Sequence, residues 1–132
     1  MSSGGVRAVV AAHGELASGL VSAVERITGR GEALAALTNV GLGADEMEAR
    51  LRDRIEREGI RAIFTDLPSG SWTMAARRAM RGREDVVLVT GVNLAALLEF
   101  VMRDDVDPAT GARGSVERAR GAISVVGGTR GA

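Results

Sequence analysis

Short runs of small and branched apolar residues alternate along this chain with longer stretches in which apolar residues recur every three or four positions. The first run, Val6 to Ala12, is broken only by Arg7 and is too short for a typical helix, so it predicts a strand buried on both faces. Leu16, Leu20, Ala23, Val24 and Ile27 then follow helical spacing, and Gly29 stands where that helix would stop. Glu32 to Val40 reads as a second strand, although its alanines and leucines leave helix open. Met47, Leu51 and Ile55 form one apolar line of a further helix, with Glu46/Arg50, Glu48/Arg52 and Asp53/Arg57 spaced to pair four apart. Ile60 to Thr65 predicts a third strand. The turn Asp66-Leu67-Pro68-Ser69-Gly70 follows it, then a helix from about Ser71 to Met80.

Asp85 to Thr90, which contains Val86-Val87-Leu88-Val89, is the clearest strand and predicts a central position in the sheet. From Asn93 to about Arg103, Leu94, Leu97, Leu98 and Val101 share one helical side. Pro108 and Gly111 mark Asp104 to Gly114 as a loop, with a weak helix over Ser115 to Arg120 and a last short strand over Ala122 to Val126. This alternation predicts an α/β fold, an open, mostly parallel, doubly wound sheet between two helical layers. The 132 residues fit one domain, 1–132.

Composition narrows the chemistry. Seventeen basic residues balance seventeen acidic ones, so no broad field draws nucleic acid or anionic lipid. With no cysteine, disulfides and thiolate nucleophiles are excluded. Every basic residue is Arg, which removes Schiff-base and P-loop lysine chemistry. Apolar stretches fall far short of the roughly 20 residues a membrane span needs. The first run is also too short for a signal peptide, so a cytoplasmic location is expected.

In open parallel sheets, ligands bind beyond the carboxyl ends of the strands, where strand order reverses. His13, the only histidine, ends the first run, and Asp66 ends the third. If those strands are neighbours, imidazole and carboxylate face one crevice. An Asp accepting one ring N–H fixes the tautomer and leaves the other nitrogen free to attack phosphorus. Gly14 and Gly70-Ser71 open two helices beside them, and helix starts offer amide donors to an anion.

Taken singly, each residue has a plainer reading: a structural histidine, Asp66 as a turn former, Ser71 as an N-cap, Trp72 as core filler. Their shared location favours the functional reading, and Trp72, which opens a helix there, leans toward a pocket or partner contact, with Met74 in the core. Gly41-Leu42-Gly43 lacks the third glycine of a dinucleotide fingerprint, since Glu46 stands there. Asp45, Glu46 and Glu48 suit a helix start rather than a metal cluster. No cofactor or metal is expected. A receiver-type aspartyl phosphate domain would need acids after the first strand and a late lysine. Histidine phosphatases and chelatases that begin with strand-His-Gly need a second histidine.

Three ordered motifs carry a family resemblance: Ala11-Ala12-His13-Gly14-Glu15-Leu16-Ala17-Ser18-Gly19; Thr65-Asp66-Leu67 through Gly70-Ser71; and Thr90-Gly91-Val92-Asn93-Leu94 with Leu97-Leu98-Glu99, followed by Asp104-Asp105 to Pro108. Together they resemble the mannose-type (mannose/fructose/sorbose) IIA components of the bacterial phosphotransferase system. The resemblance implies that His13 takes a phosphoryl group on Nε2 from phospho-HPr and passes it to a histidine of a IIB domain. It also implies that Asp66 holds Nδ1–H, that Ser71 sits at the phosphate-binding helix start with Gly14 and Gly70 nearby, and that the membrane is reached only through transporter components. Family members are homodimers that exchange a last, antiparallel edge strand, here about 121–127. The chain departs from the usual Asp-x-x-Gly-Gly-Ser-Pro pattern at Ser69 and Trp72. That departure keeps two other expectations open, a regulatory adaptor without transport and a phosphocarrier related to those serving dihydroxyacetone kinases.

Overall fold

A computed structural model of the protein describes residues 5–129; the ends of the expected domain 1–132 lie outside them. In chain order the described residues form β1 (Ala8–Ala12), α1 (Leu16–Thr28), β2 (Leu34–Thr38), α2 (Ala44–Glu58), β3 (Ala62–Thr65), α3 (Ser71–Ala79), β4 (Val87–Val89), α4 (Leu94–Met102) and α5 (Pro108–Arg120). The strands make one parallel sheet in the order β2-β1-β3-β4. This is the expected three-layer α/β architecture.

Side chains alternate across a strand, and β1 shows the result. Ala8, Val10 and Ala12 enter one apolar cluster with Val24, Leu97 and Phe100, while Val9 and Ala11 enter the other with Leu51, Ile55 and Trp72. All five β1 residues are fully buried. The connection through α1 steps to one side of β1 and the one through α2 returns to the other, so strand order reverses between β1 and β3. The predicted apolar line of α2, Met47, Leu51 and Ile55, is buried as expected. Two of its three anticipated ion pairs form, Glu48 with Arg52 and Asp53 with Arg57. Glu46 instead accepts the Gly43 N–H at 2.9 Å and closes the helix start.

Several expectations are corrected. β4 is an edge strand, not a central one, and its residues are only half-buried; a continuous apolar run reports covered faces and says nothing about lateral neighbours. The loop expected over Asp104 to Gly114 is mostly helix, since α5 begins at Pro108. Asp107 caps it by accepting from the Thr110 N–H at 2.9 Å, and Pro108 occupies the first turn, where its missing N–H costs nothing. Gly111 faces Phe100 of α4, where an added Cβ would lie 3.5 Å from the ring.

Along α1 the buried line runs through Ala17 and Val24, with Leu20 and Val21 packed against the core, whereas Leu16 and Ile27 are exposed. The last strand does not form within the chain. Ile123, Val125 and Val126 are 80%, 93% and 92% exposed, and no strand of the described residues pairs with 122–126, so every sheet contact found here is parallel. Among the described residues, no helix is long and apolar enough to cross a membrane.

Candidate functional site

The register of β1 on β3 pairs Ala11 with Thr65, which carries the residues just beyond, His13 and Asp66, to the same end of adjacent strands. One carboxylate oxygen, Asp66 Oδ2, meets both the His13 backbone N–H at 3.0 Å and ring Nδ1 at 2.8 Å. The imidazole is 43% exposed and the carboxylate 10%, so the ring stands open to solvent on a partner that is held in place. Burial by itself would push the Asp66 carboxyl up. The hydrogen bonds from the His13 backbone and ring, together with its own backbone N–H, outweigh that and hold it below its ordinary value. An ionised carboxylate only accepts, so the neutral ring carries its proton on Nδ1 and has its lone pair on Nε2. The Ser71 hydroxyl lies 3.3 Å from Nε2.

The loop 66–70 that links β3 to α3 is fixed from beneath. Thr73 donates to the Leu67 carbonyl, and its hydroxyl also meets that of Thr65 at 2.7 Å in a buried contact. Gly70 lets the loop come close: a Cβ there would sit 3.3 Å from His13 Cε1 and 3.3 Å from Leu67 Cβ. Gly70 also precedes α3 without offering a capping side chain, so the first-turn amides of α3 carry no side-chain cap.

The start of α1 differs. Gly14 adopts a positive φ of 58°, a conformation glycine reaches without steric cost. Its N–H, expected to serve an anion, is held by Asn39 Oδ1 at 3.1 Å, and its carbonyl accepts from Thr38 Oγ1 at 2.7 Å. Thr38 and Asn39, at the end of β2, thus brace the turn that carries His13. The sequence reading does not single out either, although a Thr-Asn pair at the end of a strand is a signal for local backbone hydrogen bonding.

Of the predicted site residues, His13, Asp66, Gly70 and Ser71 come together, and Gly14 adjoins them with its amide already engaged. Trp72 is not a pocket contact. It is fully buried among Leu51, Ile55 and Ala76, and its indole Nε1 has no hydrogen-bond partner among the described residues. Met74, expected in the core, is 45% exposed. Helical phase explains both, since residues 72, 75, 76 and 79 face the sheet and 74 faces away.

The class these features define is a three-layer α/β protein presenting a carboxylate-oriented histidine at the carboxyl rim of a parallel sheet, beside an uncapped helix start. Comparison with known proteins takes that further. The family described as the PTS system fructose IIA component matches residues 7–116, and the chain belongs to this mannose-type family of phosphotransferase-system IIA components. No curated protein matches the chain in sequence.

Among the solved structures that share the fold are three phosphotransferase-system IIA proteins of streptococci and an enterococcus. Component EIIA from Streptococcus agalactiae is 19% identical, with a TM-score of 0.78 over 91% of this chain and 96% of that one. The mannose/sorbose-specific IIA subunit from Enterococcus faecalis is 20% identical, with a TM-score of 0.77 over 97% and 99%. The IIA protein associated with the fucose utilization operon of Streptococcus pneumoniae is 24% identical, with a TM-score of 0.76 over 95% and 96%. Family membership carries a phosphocarrier role of the transferase class, together with HPr and IIB components as partners.

Proposed function

We propose that His13 is the phosphoryl-carrying residue, taking the group from phospho-HPr on Nε2 and passing it to a histidine of a IIB domain. The Nε2 lone pair attacks phosphorus and an Nε2–P bond forms. The donor's N–P bond breaks, and its imidazole leaves with the electron pair. Nδ1 keeps its proton throughout, so the ring becomes cationic as it is phosphorylated, and the Asp66 carboxylate offsets that charge across 2.8 Å. The Ser71 hydroxyl and the first-turn amides of α3 supply donors to the phosphoryl oxygens. The observation that carries this reading is the single carboxylate oxygen bonded to both the backbone and Nδ1 of an exposed histidine whose Nε2 faces Ser71.

Incubation with phosphoenolpyruvate, enzyme I and cognate HPr should give an acid-labile, base-stable label that maps to His13. Undiminished labelling of His13→Ala would end the assignment. The protein would act in the cytoplasm and meet the membrane only through transporter components.

A homodimer completes the reading. The exposed apolar tail 122–126 lies next to a groove of about 510 Å³ along the open edge of β4, lined by Val87, Val89, Val92 and Val116 and touched by Ile123. An unpaired strand edge is a template for a further strand, and exchange of segment 121–127 between two copies of domain 1–132 would occupy both edges. Sedimentation of the full chain should show a dimer, and truncation after Gly121 a monomer; a monomeric full chain would remove this element.

A further inference from the structure

Among the described residues three polar residues are buried, Thr65, Thr73 and Ser115. Ser115 returns its hydroxyl to the Ala112 carbonyl of its own helix at 2.8 Å. Thr65 and Thr73 instead meet across two elements, the last residue of β3 and the first turn of α3, with their hydroxyl oxygens 2.7 Å apart. The Thr73 hydroxyl has one proton and gives it to the Leu67 carbonyl, which only accepts, so Thr65 is the donor within the pair. One chain of hydrogen bonds thus runs from the end of β3, through the head of α3, to the turn between them.

The fold does not require this chain. Thr65 shares a strand face with Ile63 and stands in register with Ala11, and both of those belong to the apolar cluster that holds Trp72. Valine has the same shape and suits a strand there. Replacing both partners of a buried hydrogen bond by apolar groups of equal shape is close to neutral in stability.

The site is what the chain of bonds fixes. Asp66, which meets Nδ1, lies between Thr65 and Leu67, and Ser71, which meets Nε2, lies two residues before Thr73. The two sides of one imidazole are therefore served by residues whose separation is set through Thr65, Thr73 and Leu67. Thr65 is anchored in turn, because its carbonyl accepts the Val92 N–H at 2.9 Å. Ser71 Oγ stands 3.3 Å from Nε2, at the long end of hydrogen bonding. A small shift of the α3 head decides whether that hydroxyl reaches a phosphoryl group, and a misplacement of about 1 Å can cost on the order of a hundredfold in rate.

We infer that Thr65 and Thr73 are positioning residues for phosphoryl transfer: their paired hydroxyls lock the turn after Asp66 to the first turn of α3 and so set where Ser71 stands against Nε2. The inference rests on the carrier reading of His13 and adds the residues that hold its geometry.

The test measures labelling of His13 in the full chain by cognate phospho-HPr and by phosphoramidate, a small donor with no protein surface. Thr73→Val should slow the maximal single-turnover rate about tenfold with either donor, while the phospho-HPr concentration giving half that rate stays within about twofold of wild type. Thr73→Ser, which keeps the hydroxyl, should transfer within about threefold of wild type. In a Ser71→Ala background the cost of Thr73→Val should shrink to under about threefold, because the group it positions is gone. Thr65→Val/Thr73→Val, which leaves no hydroxyl unpaired, should show the same tenfold loss with a urea midpoint near that of wild type, and it replaces the single variant if that one is unstable. Wild-type rates in folded valine variants overturn the inference, as does an equal loss with and without Ser71 or a serine variant as slow as the valine one. Loss of the fold in both valine variants also overturns it, since the pair would then serve stability alone. Failure of either donor to label wild-type His13 sinks the carrier reading instead.

Discussion

Two glycine-led helix starts flank His13, and the chain uses them differently. At the head of α1 the Gly14 amide is bound by Asn39, its carbonyl is bound by Thr38, and the Leu16 N–H turns back to the His13 carbonyl at 3.2 Å. At the head of α3, Gly70 offers no side-chain cap, and Ser71 reaches Nε2. Both are helix N-termini with similar dipoles, and the dipole alone contributes only about 0.3–1 kcal/mol at an exposed position. Neither helix carries a side-chain cap; what separates them is that the turn before α1 is bound at Gly14, whereas Ser71 at the head of α3 faces Nε2. The turn before α1 braces the histidine, and in the proposed function the α3 start meets the phosphoryl group.

That contrast can be broken by substitution. Asp66→Asn should have the largest effect, because an amide at that position no longer imposes the Nδ1–H tautomer; transfer to His13 should slow about ten- to a hundred-fold with the fold retained. An unchanged rate would remove Asp66 from the mechanism. The same variant should alter acid stability. Because the folded Asp66 pKa is depressed, its contribution is present above the unfolded value of about 3.9 and is lost as pH falls through the lower folded value. Urea denaturation followed below about pH 4 should therefore show a shallower loss in Asp66→Asn than in wild type.

Ser71→Ala tests the open helix start. Losing one hydrogen bond to a charged group should slow transfer about tenfold, read most cleanly in single-turnover transfer from phospho-HPr. Asn39→Ala tests the closed one and should act on stability, lowering it by about 0.5–1.5 kcal/mol in urea, with transfer within about threefold of wild type. Equal losses of transfer in Ser71→Ala and Asn39→Ala would mean that the two starts share the anion and would erase the distinction.

Much of this was legible in the chain itself. The buried run of β1, the α2 line of Met47, Leu51 and Ile55, and the placement of His13 and Asp66 after two strands followed from periodicity and strand-end logic. Helix α5 is also written there, in Asp107-Pro108 and Thr110, although Pro108 and Gly111 read as breakers until their roles as a first-turn residue and a packing position are seen. Trp72 lies in the core and Met74 outside it because helical phase, not residue type, decides burial along α3.

The sequence alone determined the alternation of elements, the chemistry available to a lone histidine and an aspartate, and the family, because local periodicity and short motifs are properties of neighbouring residues. Only the tertiary structure decided that β1 and β3 are adjacent, that β4 lies at an edge with the 122–126 tail unpaired, and that Asn39 takes the Gly14 amide. Those outcomes depend on which strands pair across long stretches of chain and on which hydrogen-bonding groups are already engaged when the site is assembled. Neither quantity is carried by any single segment.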